Sequence, residues 1–383
     1  MSDHETQTPS LEQLYDRHSS KWRRFATDVL PMHVAEMDFQ IAEPIRARIQ
    51  KMTEESDFGY LGPVPEVAQA FEGFASRHWG WNIDPTQLKL ASDVGVATVE
   101  FLRANLNAGD RVVVTSPVYS GFYEWLKELR IEPFDVPLVD LDEPFSLDIA
   151  GLEKAFQQGH LTVLLCNPHN PTGRVFSRKQ LTELAIIAQK YGATVISDEI
   201  HAPLSQVPFT PYLSCGPAAE ETGVCITSAS KAFNLAGLKA AFLLTQGTKM
   251  AAKVAKLPPA THWRTSIVGA FAMAEAFNNC DAWLKTTLST LASNAEHLLS
   301  QLEAQLPSVK THIPEAGYLA WLDITELPLT TEAIAAQAKV ALVPGPDMGG
   351  ENYKNFARLN FGTSPEIISV GISRISASLK NAS

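Results

Sequence analysis

The sequence predicts an α/β fold: a large body built on a mostly parallel sheet flanked by helices, followed by a smaller α+β body. Two observations carry this. Through the first two thirds of the chain, short apolar runs alternate with longer segments of helical period, the pattern of repeated βαβ units. Beyond residue 267 a nearly continuous helical pattern leads into short strands mixed with helices.

In order along the chain, the apolar runs at 111–115, 161–166, 193–197, 224–227 and 240–245 are strands of the large sheet. Between them lie amphipathic stretches such as 177–191, where Leu181, Leu184, Ala185 and Ala188 recur at helical spacing behind an N-cap serine, Ser177. The helical pattern of 267–306 is interrupted only around 278–281. The last part reads as strands at 318–323, 340–343 and 356–361, with helices at 331–338 and 365–379. The expected division is an N-terminal segment, 1–40, packing with the small domain, a large domain at 41–275 and a small domain at 276–383.

Composition narrows the function classes. With 45% hydrophobic and 19% charged residues, the chain buries a sizeable core. A net charge of -11 repels phosphate backbones, so nucleic acid is not an expected partner. No apolar run approaches membrane-spanning length, and residues 1–10 are polar, without a basic region followed by an apolar stretch. Four cysteines without regular spacing, Cys166, Cys215, Cys225 and Cys280, are expected as reduced thiols, and the chain as cytoplasmic.

Ligands of open α/β sheets sit beyond the carboxyl ends of the strands, so the residues just after each apolar run are where chemistry is expected. One run ends in Ser116-Pro117-Val118-Tyr119 and another in Asn167-Pro168-His169-Asn170-Pro171-Thr172-Gly173. Two more end in Asp198-Glu199-Ile200-His201 and Ser228-Ala229-Ser230-Lys231. A lysine amine at a strand end can condense with an aldehyde, and flanking hydroxyls can hold a phosphate beside it, so Lys231 is a candidate anchor for pyridoxal phosphate. The Asp198 carboxylate can keep a pyridine nitrogen protonated, making the ring an electron sink; Asn170 can donate an amide hydrogen bond to a ring hydroxyl oxygen. Cys166 and His169 stand three apart, but two ligands beside a proline fall short of a tetrahedral metal set.

Taken together and in this order, Asn170-Pro171-Thr172-Gly173, Asp198-Glu199, Ser228-Ala229-Ser230-Lys231 and Arg358-Leu359-Asn360 resemble the fold-type I pyridoxal-phosphate enzymes of the aspartate aminotransferase superfamily, over almost the entire chain. Finer features resemble the MalY/PatB-type branch of cystathionine β-lyases and cysteine-S-conjugate β-lyases. They are Ala35-Glu36-Met37-Asp38-Phe39, Phe58-Gly59-Tyr60, Asp198-Glu199-Ile200-His201, the run from Ser230-Lys231 to Leu238-Lys239, and Tyr318-Leu319-Ala320-Trp321-Leu322-Asp323. His201 and Lys239 stand where many aminotransferases carry tyrosine and arginine.

The resemblance implies a fold-type I transferase-like architecture and specific roles. Lys231 is the implied catalytic residue and cofactor anchor; Tyr119 would stack on the cofactor ring, Asp198 pair with the ring nitrogen and Asn170 with the ring hydroxyl. The phosphate would meet Ser228, Ser230 and the backbone amides of Val94, Gly95 and Val96, where a helix beginning near Asp93 offers unpaired N–H groups, with Lys239 adding charge. Tyr60 would reach the phosphate from a neighbouring subunit, implying a homodimer. Arg358, with Asn170 beside it, would grip the substrate α-carboxylate. His201 lies either near the ring hydroxyl or in a structural role; Tyr318 and Trp321 read as core or wall. The implied activity is β-elimination of L-cystathionine or related cysteine conjugates to a thiol, pyruvate and ammonia, in amino-acid metabolism and methionine biosynthesis. The alternatives are an aminotransferase acting on an amino acid and a 2-oxo acid, and a pyridoxal-phosphate-bound regulatory protein acting through a partner.

Overall fold

Runs such as Thr162–Cys166 and Gly223–Thr227 carry apolar residues at successive positions, so they can be buried on both faces, as the centre of a parallel sheet demands. The computed structural model describes residues 8–141 and 143–380. Its strands are β1 Leu30–Pro31, β2 Leu88–Ala91, β3 Arg111–Val114, β4 Glu132–Asp135, β5 Thr162–Cys166, β6 Thr194–Asp198, β7 Gly223–Thr227, β8 Ala241–Leu244, β9 Leu319–Asp323, β10 Val340–Ala341, β11 Val343–Pro344 and β12 Phe356–Asn360.

A seven-stranded sheet has the order β2-β8-β7-β6-β5-β3-β4. From β7 across to β4 every pairing is parallel, and β8 is antiparallel to both of its neighbours. The register aligns Cys166 with Asp198 and Asp198 with Ile226, so the strand ends that precede the motifs lie side by side. Two apolar layers cover the sheet: Leu165, Val195 and Cys225 belong to one, Leu164, Ile196 and Val224 to the other, following the two-residue alternation of a strand.

The helices between strands start where the sequence supplies a cap. Ser177 makes a reciprocal capping box with Gln180 at the head of the helix Arg178–Tyr191, which buries Leu181, Leu184, Ala185 and Ala188. Asp93 caps Val94–Asn105 through a 2.7 Å bond from the Val96 N–H. The expected helical stretch 267–306 forms two helices, Ile267–Asn279 and Asp281–Gln305, meeting at Cys280.

A second, three-stranded antiparallel sheet has the order β11-β12-β9, and β1 pairs in parallel with β10. Several expectations need correction here. The single strand expected at 340–343 is two short strands in different sheets, with Leu342 between them. The expected helix at 331–338 is one α-helical turn, Thr331–Ala333, followed by a wider π turn, Ile334–Ala338. Strands β2 and β4 had no clear sequence signal. β4 reads Glu-Pro-Phe-Asp, polar and interrupted by Pro133, a composition tolerated because it is an edge strand. Among the described residues no helix is long and apolar enough to cross a membrane.

Candidate active site

A cleft of about 280 Å³ opens at the carboxyl ends of β5, β6 and β7. Lys231, Asp198, Asn170, Tyr119, His201 and Ser230 all line it, and so do Val94, Gly95 and Lys239 at its far end. These residues span from 94 to 239 in sequence, and it is the register of the parallel strands that gathers them.

The titratable groups are buried and therefore perturbed. Burial raises the Asp198 carboxyl to about 7, against the pull of the Ile200 N–H at 3.1 Å and of the Lys231 charge. Burial, with the Arg358 charge, draws Lys231 down to about 8. His201 is pushed down to about 3 by burial and by the Lys231 and Arg358 charges, so it faces the cleft as a neutral ring. A cationic N–H set against Asp198 would hold that carboxylate ionised, and a less protonated Lys231 is a better nucleophile toward an aldehyde. Tyr119 supplies an aromatic face, its ring 5.7 Å from Trp125. Trp125 itself lies against Gly95, where a Cβ would come within 2.9 Å of the indole. The cleft thus offers an amine, a buried acid and an aromatic wall, with a helix N-terminus at the other end, and these fit pyridoxal phosphate by the chemistry of the donor set.

Two details of the expected phosphate seat are corrected. Val96 is not available: its N–H donates to Asp93 Oδ1 at 2.7 Å, whereas Val94 and Gly95 occupy the first helical positions, whose amides have no partner within the helix. The Ser228 hydroxyl turns away, donating to the Ala240 carbonyl at 2.7 Å and accepting from the Ser230 N–H at 3.0 Å, so it shapes the turn that presents Ser230 and Lys231. Lys239 pairs with Asp93 Oδ2 at 3.1 Å. Tyr60 is 92% exposed and stands outside the cleft of its own chain. Cys166 and His169 serve the turn that carries Asn170: Cys166 Sγ accepts from the Asn170 N–H, and His169 Nδ1 shares a hydrogen with the Thr172 hydroxyl.

Arg358 is 4% exposed and, among the described residues, has no acidic partner. One terminal nitrogen donates to Asn170 Oδ1 at 3.0 Å, the other to the His33 carbonyl at 2.8 Å, and Nε is buried without a partner. Across the strand pair, Trp321 faces Arg358 in register, and its buried indole N–H is also unpartnered. A buried guanidinium without a counter-charge is an anion site in waiting, since a carboxylate there satisfies both the charge and the open N–H.

Sequence reasoning missed what holds these groups in place. The backbone carbonyls of residues 33 to 39 each accept a side-chain hydrogen bond. His33 takes Arg358, Val34 takes Asn360, and Ala35 takes both Lys231 Nζ (2.8 Å) and the Tyr318 hydroxyl (2.9 Å). Glu36 takes Asn360 and Lys21, Met37 and Phe39 take Asn234, and Asp38 takes Arg17. The Asp38 side chain is pinned in turn by Lys21 at 2.8 Å and Trp22 at 3.1 Å, all three buried. One extended strap therefore contacts both the candidate base and the candidate carboxylate binder. The available signal was the alternation in Arg358-Leu359-Asn360, which sends 358 and 360 to the same face of β12.

Against known proteins, the model of the family described as aminotransferase class I and II matches residues 27–375. A candidate cystathionine beta-lyase of Mycobacterium tuberculosis is 36% identical over 401 residues, with 97% of each chain covered. The cystathionine beta-lyase PatB of Bacillus subtilis is 31% identical over 381 residues, covering 96% of this chain and 98% of that one. A crystal structure from Corynebacterium diphtheriae, of a candidate PLP-dependent beta-cystathionase, superposes with a TM-score of 0.92 at 30% identity, covering 98% of this chain and 99% of the other.

Proposed function

The chain belongs to the aminotransferase class I and II family, and from that membership we propose that it is a pyridoxal-phosphate-dependent carbon–sulfur β-lyase. It converts L-cystathionine or a related cysteine S-conjugate, with water, into a thiol, pyruvate and ammonia. The observation that carries the reading is a buried amine and a buried acid sharing one cleft, Lys231 and Asp198, in a chain similar over its length to cystathionine β-lyases.

The bound coenzyme supplies an electron sink for the negative charge that develops at the substrate Cα. Asp198 is the residue that keeps the ring nitrogen cationic, and Val94, Gly95, Ser230 and Lys239 are those that hold the phosphate. Arg358 binds the substrate α-carboxylate through parallel N–H bonds, with Asn170 fixing the guanidinium plane. Lys231, drawn down to about 8, is the base of the cleft and takes the Cα proton at Nζ; the Ala35 carbonyl limits where that nitrogen can go. His201 stays neutral beside it, so it adds no charge to the Lys231 surroundings. Scission of the Cβ–S bond then yields the thiolate.

In this reading residues 41–275 form the cofactor-holding body and 276–383 the smaller one. The segment 1–40, described from residue 8 onward, lies across both. The enzyme acts as a cytoplasmic homodimer in which the exposed Tyr60 completes the neighbouring phosphate seat. Incubating the purified protein with L-cystathionine, with and without a 2-oxo acid, tests the activity. Pyruvate formed without the oxo acid is expected; product formed only in its presence would replace the lyase by a transaminase. A stable complex with another protein and negligible turnover would replace both by a regulatory role.

A further inference from the structure

The phosphate end of the cleft contains a charge that does not suit its task. Resting on the reading of the cleft as a pyridoxal-phosphate site, we infer that Asp93 lowers the affinity for the coenzyme phosphate and thereby keeps the coenzyme exchangeable.

Asp93 caps the helix Val94–Asn105, and its two carboxylate oxygens are both engaged: Oδ1 accepts from the Val96 N–H at 2.7 Å and Oδ2 from Lys239 Nζ at 3.1 Å. It thus takes up a third amide of the helix end and the ammonium that lines this part of the cleft. Capping alone does not require a charge, because asparagine and serine cap a helix about as well as aspartate. An acid at a helix N-terminus is favourable when it is the anion that occupies the positive end of the dipole; beside a phosphate it is a like charge competing for the same donors. Lys239 and Asp93 cancel, so the seat offers the phosphate helix amides and the Ser92 and Ser230 hydroxyls with a net charge near zero. Both members of the pair are accessible to solvent, Asp93 37% and Lys239 58% exposed in their side chains, so the repulsion is moderate.

Asparagine at position 93 keeps the cap and removes the charge. Holoenzyme of Asp93→Asn, stripped and re-titrated with pyridoxal phosphate by visible absorbance and equilibrium dialysis, is expected to have a dissociation constant about tenfold lower than wild type, with slower coenzyme loss. Pyridoxal, which lacks the phosphate, is expected to bind both proteins equally. Lys239→Ala exposes the acid and weakens phosphate-ester binding, while Asp93→Asn/Lys239→Ala binds more tightly than Lys239→Ala alone, because the like charge is then gone as well. Asp93→Ser, which also caps, serves as the second single variant if the asparagine variant folds poorly.

Asp93→Asn and Asp93→Ser proteins that bind pyridoxal phosphate no more tightly than wild type overturn the inference, and so does an equal gain for pyridoxal. A wild type that takes up neither form overturns the functional reading, a distinct result.

Discussion

Replacing Arg358 by methionine separates the energetics of folding from those of substrate binding. Burial pushes the Arg358 guanidinium from its ordinary value down to about 10. That drop corresponds to about 3 kcal/mol by which the charged form is disfavoured inside the fold. Against this stand two hydrogen bonds donated by the cation, to Asn170 and to the His33 carbonyl, each contributing about 1.5 kcal/mol, the lower end for a charged donor on a neutral acceptor. Arg358→Met should therefore leave the coenzyme-free protein within about 1 kcal/mol of wild type, or more stable, when unfolded in urea. Activity should behave oppositely. Losing two charge-assisted bonds to the substrate carboxylate, at about 1.5–3 kcal/mol each, lowers kcat/KM by roughly 10²–10⁴-fold. An unreactive amino acid should raise the Tm of the wild type and not that of the variant. A stability loss of about 3–5 kcal/mol, the usual result of breaking a buried ion pair, would refute the reasoning, since it would mean that Arg358 already has an internal counter-charge.

The other predictions concern the base, the strap and the subunits. Lys231 has a folded value of about 8 against 10.5 unfolded, so between those values the unfolded chain binds more protons and coenzyme-free stability rises with pH, by up to about 3 kcal/mol. In Lys231→Met that rise disappears from the urea midpoints, and pyruvate release from cystathionine is abolished. Lys21→Met leaves Asp38 buried with only Trp22 on its side chain and should cost about 3–5 kcal/mol in denaturant unfolding, together with a fall in kcat as the strap loosens; a loss below about 1 kcal/mol would show that the strap is held elsewhere. Mixing Tyr60→Ala with Lys231→Ala protein should restore about a quarter of wild-type activity, because random exchange gives half heterodimers with one intact site each. No recovery after verified subunit exchange would place Tyr60 outside the neighbouring site.

What could be read in the sequence was whatever lies close together along it. Strands β3, β5, β6, β7 and β8 follow from apolar runs, and the residues after them follow from the rule that ligands sit at strand ends; this brought out Lys231, Asp198, Asn170 and Tyr119. A helix beginning near Asp93 was expected from the resemblance, but which of its amides stay free was not, because that depends on where the Asp93 side chain turns. Strand β4 was missed because an edge strand packs on one side only and can carry proline and charge.

Local pattern by itself determined the alternation of strands and helices and the residue types at the strand ends, since periodicity and capping act over a few neighbouring residues. Only the folded chain decided that the carbonyls of 33–39 bridge Lys231 and Arg358, or that Lys239 meets Asp93 across 146 positions. Every residue carries the same carbonyl, so an acceptor of that kind leaves no mark in the order of side chains. Its role arises when distant segments meet in a buried place where each donor must find a partner.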